Sequence, residues 1–344
     1  MKKLLALSLT AVMVIGMMTG CGAKEESQST EAAVETEAAA EAEAVEADAE
    51  TEAAADGQTY KIGVIQLVEH AALDASNQGF VAALDDAGIS YEIDQQNAQG
   101  DQSACQTIAE KLVNDGNDLI LAIATPAAQA VAGATTEIPI LVTAVTDPAD
   151  AGLVESNEVP GGNVSGTSDL TPVKEQIDLL KQILPDAKKV GILYCSAESN
   201  SVFQSDMAQA ACEAAGLESE VFTVSSSNEI QQVVESMVGK VDAIYAPTDN
   251  TIAAGMATVG MVANDNGLPV ICGEAGMVEA GGLATYGIDY YQLGYMAGEQ
   301  AVEILVNGAD ISQMPIGYLS ADRCELSTNQ ETADALGIDL SVLN

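Results

Sequence analysis

Apolar residues fall into short runs joined by segments of helical spacing. Residues 60–66 (YKIGVIQ) are apolar and β-branched and predict a strand. Over 70–88, Leu73, Phe80, Val81 and Leu84 recur at helical intervals, and Ala87-Gly88 closes the segment. Residues 89–95 alternate as a second strand. Residues 103–114 predict a helix with Ile108, Leu112 and Val113 on one side. A buried strand follows at 119–124, Pro126 opens the next helix, and 138–145 is another strand.

The pattern then starts again. Val190-Gly191-Ile192-Leu193 repeats Ile62-Gly63-Val64-Ile65 at an offset of 128. Asp242-Ala243-Ile244 repeats Asp118-Leu119-Ile120 at 124, and Leu268-Pro269-Val270-Ile271 repeats Ile138-Pro139-Ile140-Leu141 at 130. Helical patterns over 201–216, 230–238 and 251–266 lie between these strands. Three landmarks at nearly constant offset predict one βαβαβ unit present twice. The fold class is therefore α/β, with two parallel sheets flanked by helices. No GxGxxG follows a strand, which disfavours a dinucleotide fold.

Two such lobes turn the carboxyl ends of their strands into one crevice, where open α/β sheets bind ligands. The polar interruptions at those ends nominate the site. In the first lobe they are Gln66 to His70, Thr125-Pro126 and the turn containing Thr146. In the second they are the turn containing Asn200-Ser201, then Thr248-Asp249-Asn250, then Glu274. The helix starts at Thr125, Ala127 and Ala128 and at Asn200-Ser201 suit an anionic group such as a carboxylate. Asp249, Glu274 and Asp289 suit a ligand ammonium, Asp249 foremost. Capping of their own helices is the competing role for all of these residues. Tyr194, Tyr245, Tyr286, Tyr290 and Tyr291 lie at or beside strand ends and hint at a flat, apolar ligand.

The N-terminus carries an address. Met1-Lys2-Lys3 precedes 15 uncharged residues, 4–18, which is signal-peptide size and short of the roughly 20 that span a bilayer. Thr19-Gly20-Cys21 follows directly. Small residues ahead of a cysteine resemble a bacterial lipobox, so the expectation is cleavage before Cys21 and lipid on its thiol. Residues 22–58 hold 12 acidic residues against Lys24 and have no stripe of large apolar side chains. That composition predicts a solvated, self-repelling tether.

Charge narrows the function. The 344 residues carry 52 acidic and 11 basic side chains, a formal net charge of −41. Nucleic-acid binding through a basic surface is excluded. With Arg323 as the single arginine and His70 as the single histidine, a conventional His-based metal site and a phosphate clamp are disfavoured. The expectation is no metal, no cofactor and no catalytic residue. Beyond Cys21, Cys105, Cys195, Cys212, Cys272 and Cys324 form no C-x-x-C pair and read mainly as small buried hydrophobes, with a disulfide left open on an exported protein.

Six segments together are similar to one family, the TrpX-type substrate-binding lipoproteins of ABC transporters. They are Asn97-Ala98-Gln99-Gly100-Asp101-Gln102, residues 123–129 (IATPAAQ), residues 143–148 (TAVTDP), residues 161–169 (GGNVSGTSD), Pro247-Thr248-Asp249-Asn250 and Gly287-Ile288-Asp289-Tyr290-Tyr291. The resemblance implies a type I periplasmic-binding-protein architecture: two Rossmann-like lobes, a hinge, and closure on a small ligand. It implies an aromatic or other apolar amino acid as that ligand. The implied partners are the permease and ATPase subunits of an importer, and the membrane through the lipid anchor. It points to Thr125, Ala127 and Ala128 in the first lobe, Asn200, Ser201, Asp249, Asn250 and Glu274 in the second, and Asp289 in the crossover. One departure is His70-Ala71-Ala72-Leu73-Asp74, where the family pattern has Pro after the histidine.

The expected organisation is a signal peptide at 1–20 and an acidic tether at 21–58. Lobe one takes 59–170 plus about 290–315, and lobe two takes 171–289 plus about 316–344. Rival functions are the same fold binding a nucleoside, peptide or signalling compound, a receptor-linked sensor, or a surface hydrolase using Asp249 and Glu274. No G-x-S-x-G elbow occurs to support the hydrolase.

Overall fold

The computed structural model describes residues 57–320 and 323–343. The signal segment, Cys21 and nearly all of the acidic tether lie outside the described residues.

The first lobe runs β1 (Thr59–Gln66), α1 (Ala71–Asp86), β2 (Ser90–Asn97), α2 (Gln102–Asn114), β3 (Leu119–Ile123), α3 (Thr125–Ala134), β4 (Ile140–Val145) and β5 (Val164–Ser168). After α4 (Val173–Ile183), the second lobe repeats the plan. It runs β6 (Lys189–Cys195), α5 (Ser199–Ala214), β7 (Glu218–Val224), α6 (Ile230–Met237), β8 (Ala243–Ala246), α7 (Asn250–Ala254), α8 (Met256–Asp265), β9 (Val270–Cys272), α9 (Ala275–Glu279) and β10 (Ala284–Gly287). The chain ends through α10 (Tyr290–Leu305), β11 (Gly317–Tyr318), β12 (Glu325–Thr328) and α11 (Gln330–Leu336).

The sheets have matching orders, β11-β5-β4-β3-β1-β2 and β12-β10-β9-β8-β6-β7. Pairing is parallel except for β12 against β10. Central strands such as β3 (LILAI) and β8 (AIYA) are buried along their whole length, which is why they read as unbroken apolar runs. The repeat extends to hydrogen bonding. Asp118 accepts from the Lys61 N–H at 2.8 Å, and its counterpart Asp242 accepts from Lys188 and Lys189 at 2.8 and 2.9 Å.

Two boundaries differ from the sequence reading. The single helix expected at 251–266 is broken at Gly255, where a Cβ would stand 2.3 Å from Ile230 Cδ1 and the N–H turns back to Thr251 and Ile252. The first lobe also reaches past 315, because Gly317–Tyr318 pairs with β5. Helix α10 belongs to that lobe through backbone-to-backbone packing on α1. A Cβ on Gly79 would lie 1.9 Å from Tyr291 O, and one on Gly294 would lie 1.8 Å from Ser76 O. Only glycine permits that approach.

The chain crosses between sheets after β5, before α10 and between β11 and β12. Several hydrogen bonds join the lobes across the cleft. His70 Nε2 meets Asn250 Oδ1 at 3.2 Å, and Gln102 Nε2 donates to Ala197 O at 2.7 Å. Gln204 Nε2 donates to both Thr146 Oγ1 (3.1 Å) and Thr248 Oγ1 (2.6 Å). Cys105, Cys195, Cys212 and Cys272 are buried thiols packed in the cores.

Candidate functional site

The strand ends converge on a small void of about 10 Å³ between the lobes, room for one water-sized group. His70 and Leu73 of α1 and its cap close it from the first lobe, with Asp169 and Tyr290 at the crossovers. Thr248, Asp249, Asn250, Ala253 and Glu274 close it from the second. Three carboxylates face this space, and no Lys or Arg is among the lining residues.

The three are buried alike but partnered differently. Asp249, fully buried, is the N-cap of α7. Its Oδ1 accepts from Ile252 N–H at 2.7 Å, and its Oδ2 accepts from Cys195 N–H and Ser201 Oγ, both at 2.7 Å. Burial and the neighbouring Glu198 charge push its pKa upward against those donors. Glu274 caps α9, accepting from Gly276 N–H at 2.5 Å and Met277 N–H at 2.9 Å. Burial lifts it to about 7. Asp169 caps nothing. Its Oδ2 accepts from the Tyr290 hydroxyl at 2.8 Å, while its Oδ1 is buried without a partner. Burial lifts Asp169 to about 6, with the Tyr290 and Thr146 hydroxyls holding it back. Polar atoms of an interior are normally paired, and among the residues lining the void that oxygen is the open acceptor.

His70 Nε2 faces Asn250, and burial lowers its pKa, opposed by the Asn250 hydrogen bond and the charges of Glu198 and Asp74. Asn250 also lines a larger groove of about 560 Å³ that opens from the cleft. Leu67, Val68 and Pro126 form one wall of that groove, and Ala197, Glu198 and Ala254 are on the other.

Of the residues nominated from sequence, His70, Thr248, Asp249, Asn250 and Glu274 meet at the void. Gln66 does not. Its amide is spent on Val68 O (2.9 Å) and Asp74 Oδ1 (2.7 Å). Thr125, Ala127 and Ala128 are buried at the start of α3, beside Pro126 in the groove wall. Thr146 is engaged by Gln204, and Ser201 donates to Asp249. Asn200 is buried, with Nδ2 on Thr248 O at 3.3 Å and Oδ1 without a partner. Asp289 stands apart: exposed, it caps α10 through Gln292 N–H at 3.1 Å and faces a separate groove with Arg323 and Glu325. Among the five tyrosines, only Tyr290 lines the void. Tyr245 is buried in the second lobe, its hydroxyl on Gln176 Oε1 at 2.7 Å. The sequence reading missed Asp169 as a site residue. It ends the polar strand 164–168 (VSGTS) rather than an apolar one, so the search for polar ends of apolar runs passed over it.

A family model, ABC transporter substrate binding protein, matches residues 61–342. The chain belongs to that family. It is 42% identical over 339 residues to the tyrosine-binding protein of Clostridioides difficile (strain R20291), covering 97% of this chain and 92% of that protein. Among solved structures it is similar to an ABC domain from Streptococcus pneumonia in complex with L-Trp, 41% identical, TM-score 0.79, covering 83% and 98% of the two chains. It is also similar to a ligand-free, open substrate-binding protein with adhesive properties from Clostridium difficile, 46% identical, TM-score 0.62, covering 81% and 95%. The more similar sequence gives the poorer superposition. The superposition is the better one on the tryptophan complex, and in this substrate-binding protein hydrogen bonds join the lobes across the cleft. Family members bind substrate outside the cytoplasmic membrane for import, and the family is one of binding proteins rather than enzymes.

Proposed function

We propose that the protein captures an aromatic amino acid and delivers it to an ABC permease. The observation that carries the reading is the buried, unpartnered Oδ1 of Asp169 in a void of three carboxylates with no Lys or Arg and with His70 held toward its neutral form by burial. Such a site seeks a cation, and a primary ammonium is the cation of the right size. Desolvated carboxylates are costly until a counter-charge arrives. The tyrosine-binding and tryptophan-bound relatives support an aromatic side chain on the same ligand.

The ammonium is assigned to Asp169, with the Tyr290 hydroxyl fixing the carboxylate's other oxygen. Asp249 and Glu274 add negative potential but spend their lone pairs on backbone N–H groups and, for Asp249, on the Ser201 hydroxyl. The ligand's own carboxylate is assigned to the start of α3, at Thr125, Ala127 and Ala128, which no side chain caps. A ring is far larger than 10 Å³, so entry needs the hinge to open. The groove of about 560 Å³, where Leu67, Val68, Pro126 and Ala254 lie among mostly polar lining residues, offers room for it. Upstream, Cys21 is assigned the lipid anchor. Fatty-acid labelling of Cys21→Ala should be absent, and persistent label would refute the anchor.

Calorimetry with the twenty amino acids tests the ligand. L-Tyrosine, L-tryptophan or L-phenylalanine should bind. The matching aromatic acid without its amine should be about 10- to 150-fold weaker, since a charge-assisted hydrogen bond in a closed site is worth about 1.5–3 kcal/mol. Equal binding of the deaminated analogue would sink the reading.

A further inference from the structure

Glu198 sits at the N-cap of α5 but does not cap it. Its side chain turns onto α7 instead. Oε2 accepts from the Asn250 backbone N–H at 3.1 Å and from Asn250 Nδ2 at 2.6 Å. Oε1 accepts from the Thr251 N–H at 2.9 Å and its hydroxyl at 2.8 Å. Glu198 is 2% exposed and does not line the inner void.

This geometry dictates the direction of a hydrogen bond in the other lobe. An ionised carboxylate can only accept, so the Asn250 NH₂ must point at Glu198. Its Oδ1 then faces across the cleft, where it meets His70 Nε2 at 3.2 Å. An amide oxygen also only accepts, so His70 must hold a hydrogen on Nε2. One carboxylate in the second lobe thereby fixes which atom is offered to the first.

We propose that Glu198 is a positioning residue for ligand capture. It holds the Asn250 amide in the one orientation that offers its oxygen to His70 when the lobes close. A side chain already ordered in its bound geometry loses less entropy at closure, and that gain appears as slower ligand release. Without Glu198 the amide is free to present its NH₂, and His70 must then shift its hydrogen to Nδ1 before Nε2 can accept, so closure meets two competing pairings instead of one. The competing role is that of a plain cap on α7, which would act on stability alone.

The affinity arm of the test rests on the amino-acid reading above; the scattering arm does not. Glu198→Gln keeps the volume but places an NH₂ near the Asn250 donors. With L-tyrosine or L-tryptophan in calorimetry and stopped flow, Glu198→Gln should weaken binding about tenfold, mainly as faster release. His70→Ala should cost about the same. The double variant should cost little more than either single, because both remove one linked contact. Losses that multiply to about 100-fold, or a Glu198→Gln protein with lower melting temperature and unchanged affinity, would overturn the proposal. Small-angle scattering without ligand should show the parent more compact than Glu198→Gln and His70→Ala. His70→Ala removes a side chain that closes the void but leaves every Glu198 hydrogen bond in place, so it serves if Glu198→Gln fails to fold, and an unchanged scattering curve for it would also overturn the proposal. Should the parent bind none of the three aromatic amino acids, the functional reading fails, while scattering still decides the role of Glu198.

Discussion

The β3–α3 turn and the β8–α7 turn occupy the same place in the two copies of the repeat, yet they end their helices in opposite ways. In the first lobe the N-cap is Ala124, held at φ 84°, and no side chain caps α3. In the second lobe, Asp249 and Glu198 both turn carboxylates onto the first turn of α7. One wall of the cleft thus offers the positive end of a helix dipole. The other has neutralised its helix and carries surplus negative charge. A duplicated scaffold has become polar across its cleft by changes at the equivalent turns, and that polarity matches a zwitterion.

The sharpest way to break this comparison is at Asp169. Asp169→Asn should weaken binding of the aromatic amino acid by about 100-fold or more, because an ammonium is then buried against a neutral amide. A thermal melt of the ligand-free variant should show no loss of stability, since the uncharged side chain is easier to bury. Calorimetry showing parental affinity would return the ammonium to another carboxylate.

Asp249→Ala should act on the fold more than on the ligand. It strands the Cys195 N–H, the Ser201 hydroxyl and the Ile252 N–H. The expected cost is about 2–3 kcal/mol of stability in a urea titration. Affinity, measured where the variant is folded, should fall less than tenfold.

Binding should also depend on pH, with a definite sign. Burial raises Asp169 to about 6, above its ordinary value near 3.8. A bound ammonium favours the ionised form and lowers that value in the complex. Binding then expels a proton, so affinity climbs with pH below about 6, by at most tenfold per unit for one group, and flattens above it. Glu274, raised to about 7, extends the rise if the ammonium reaches it. Calorimetry in buffers of different ionisation enthalpy measures the proton released. A flat profile between pH 5 and 7 would remove Asp169 from the ammonium site. The folded protein alone follows the reverse trend. A raised folded value means stability contributed by Asp169 is greatest at low pH and is lost as pH rises through about 6.

The smallest expected effect is at the other turn. Ala124 has φ 84° and ψ 151°, a region that favours glycine. Ala124→Gly should raise stability by about 1 kcal/mol in the same urea titration and change affinity less than threefold. A loss of stability would mean that the alanine methyl packs too well for the strain to matter.

Much of this architecture was legible from residue order. Buried parallel strands must be apolar along their length, so runs such as Leu119–Ile123 announce themselves, and two copies at nearly constant offset announce two lobes. The strand ends also announced where to look, and five nominated residues do meet at the void. What pattern alone could not rank was one buried carboxylate against another. Asp249 follows an apolar strand and looks the better ligand, while Asp169 follows Val164–Ser168 and looks like a turn.

Sequence by itself determined the repeat, the layer order and the acidic character of the chain, because periodicity and composition act through local neighbours and total charge. Only tertiary structure decided that Asp249 is consumed by Cys195, Ser201 and Ile252 while Asp169 keeps an open oxygen. It also decided that Glu198, 52 positions before Asn250, aims that amide at His70, 180 positions before it. The physical reason is that a carboxylate's role depends on how many donors reach its lone pairs. Those donors are backbone N–H groups and hydroxyls brought together from distant strands, and neither their directions nor their distances are written in the identity of any one residue.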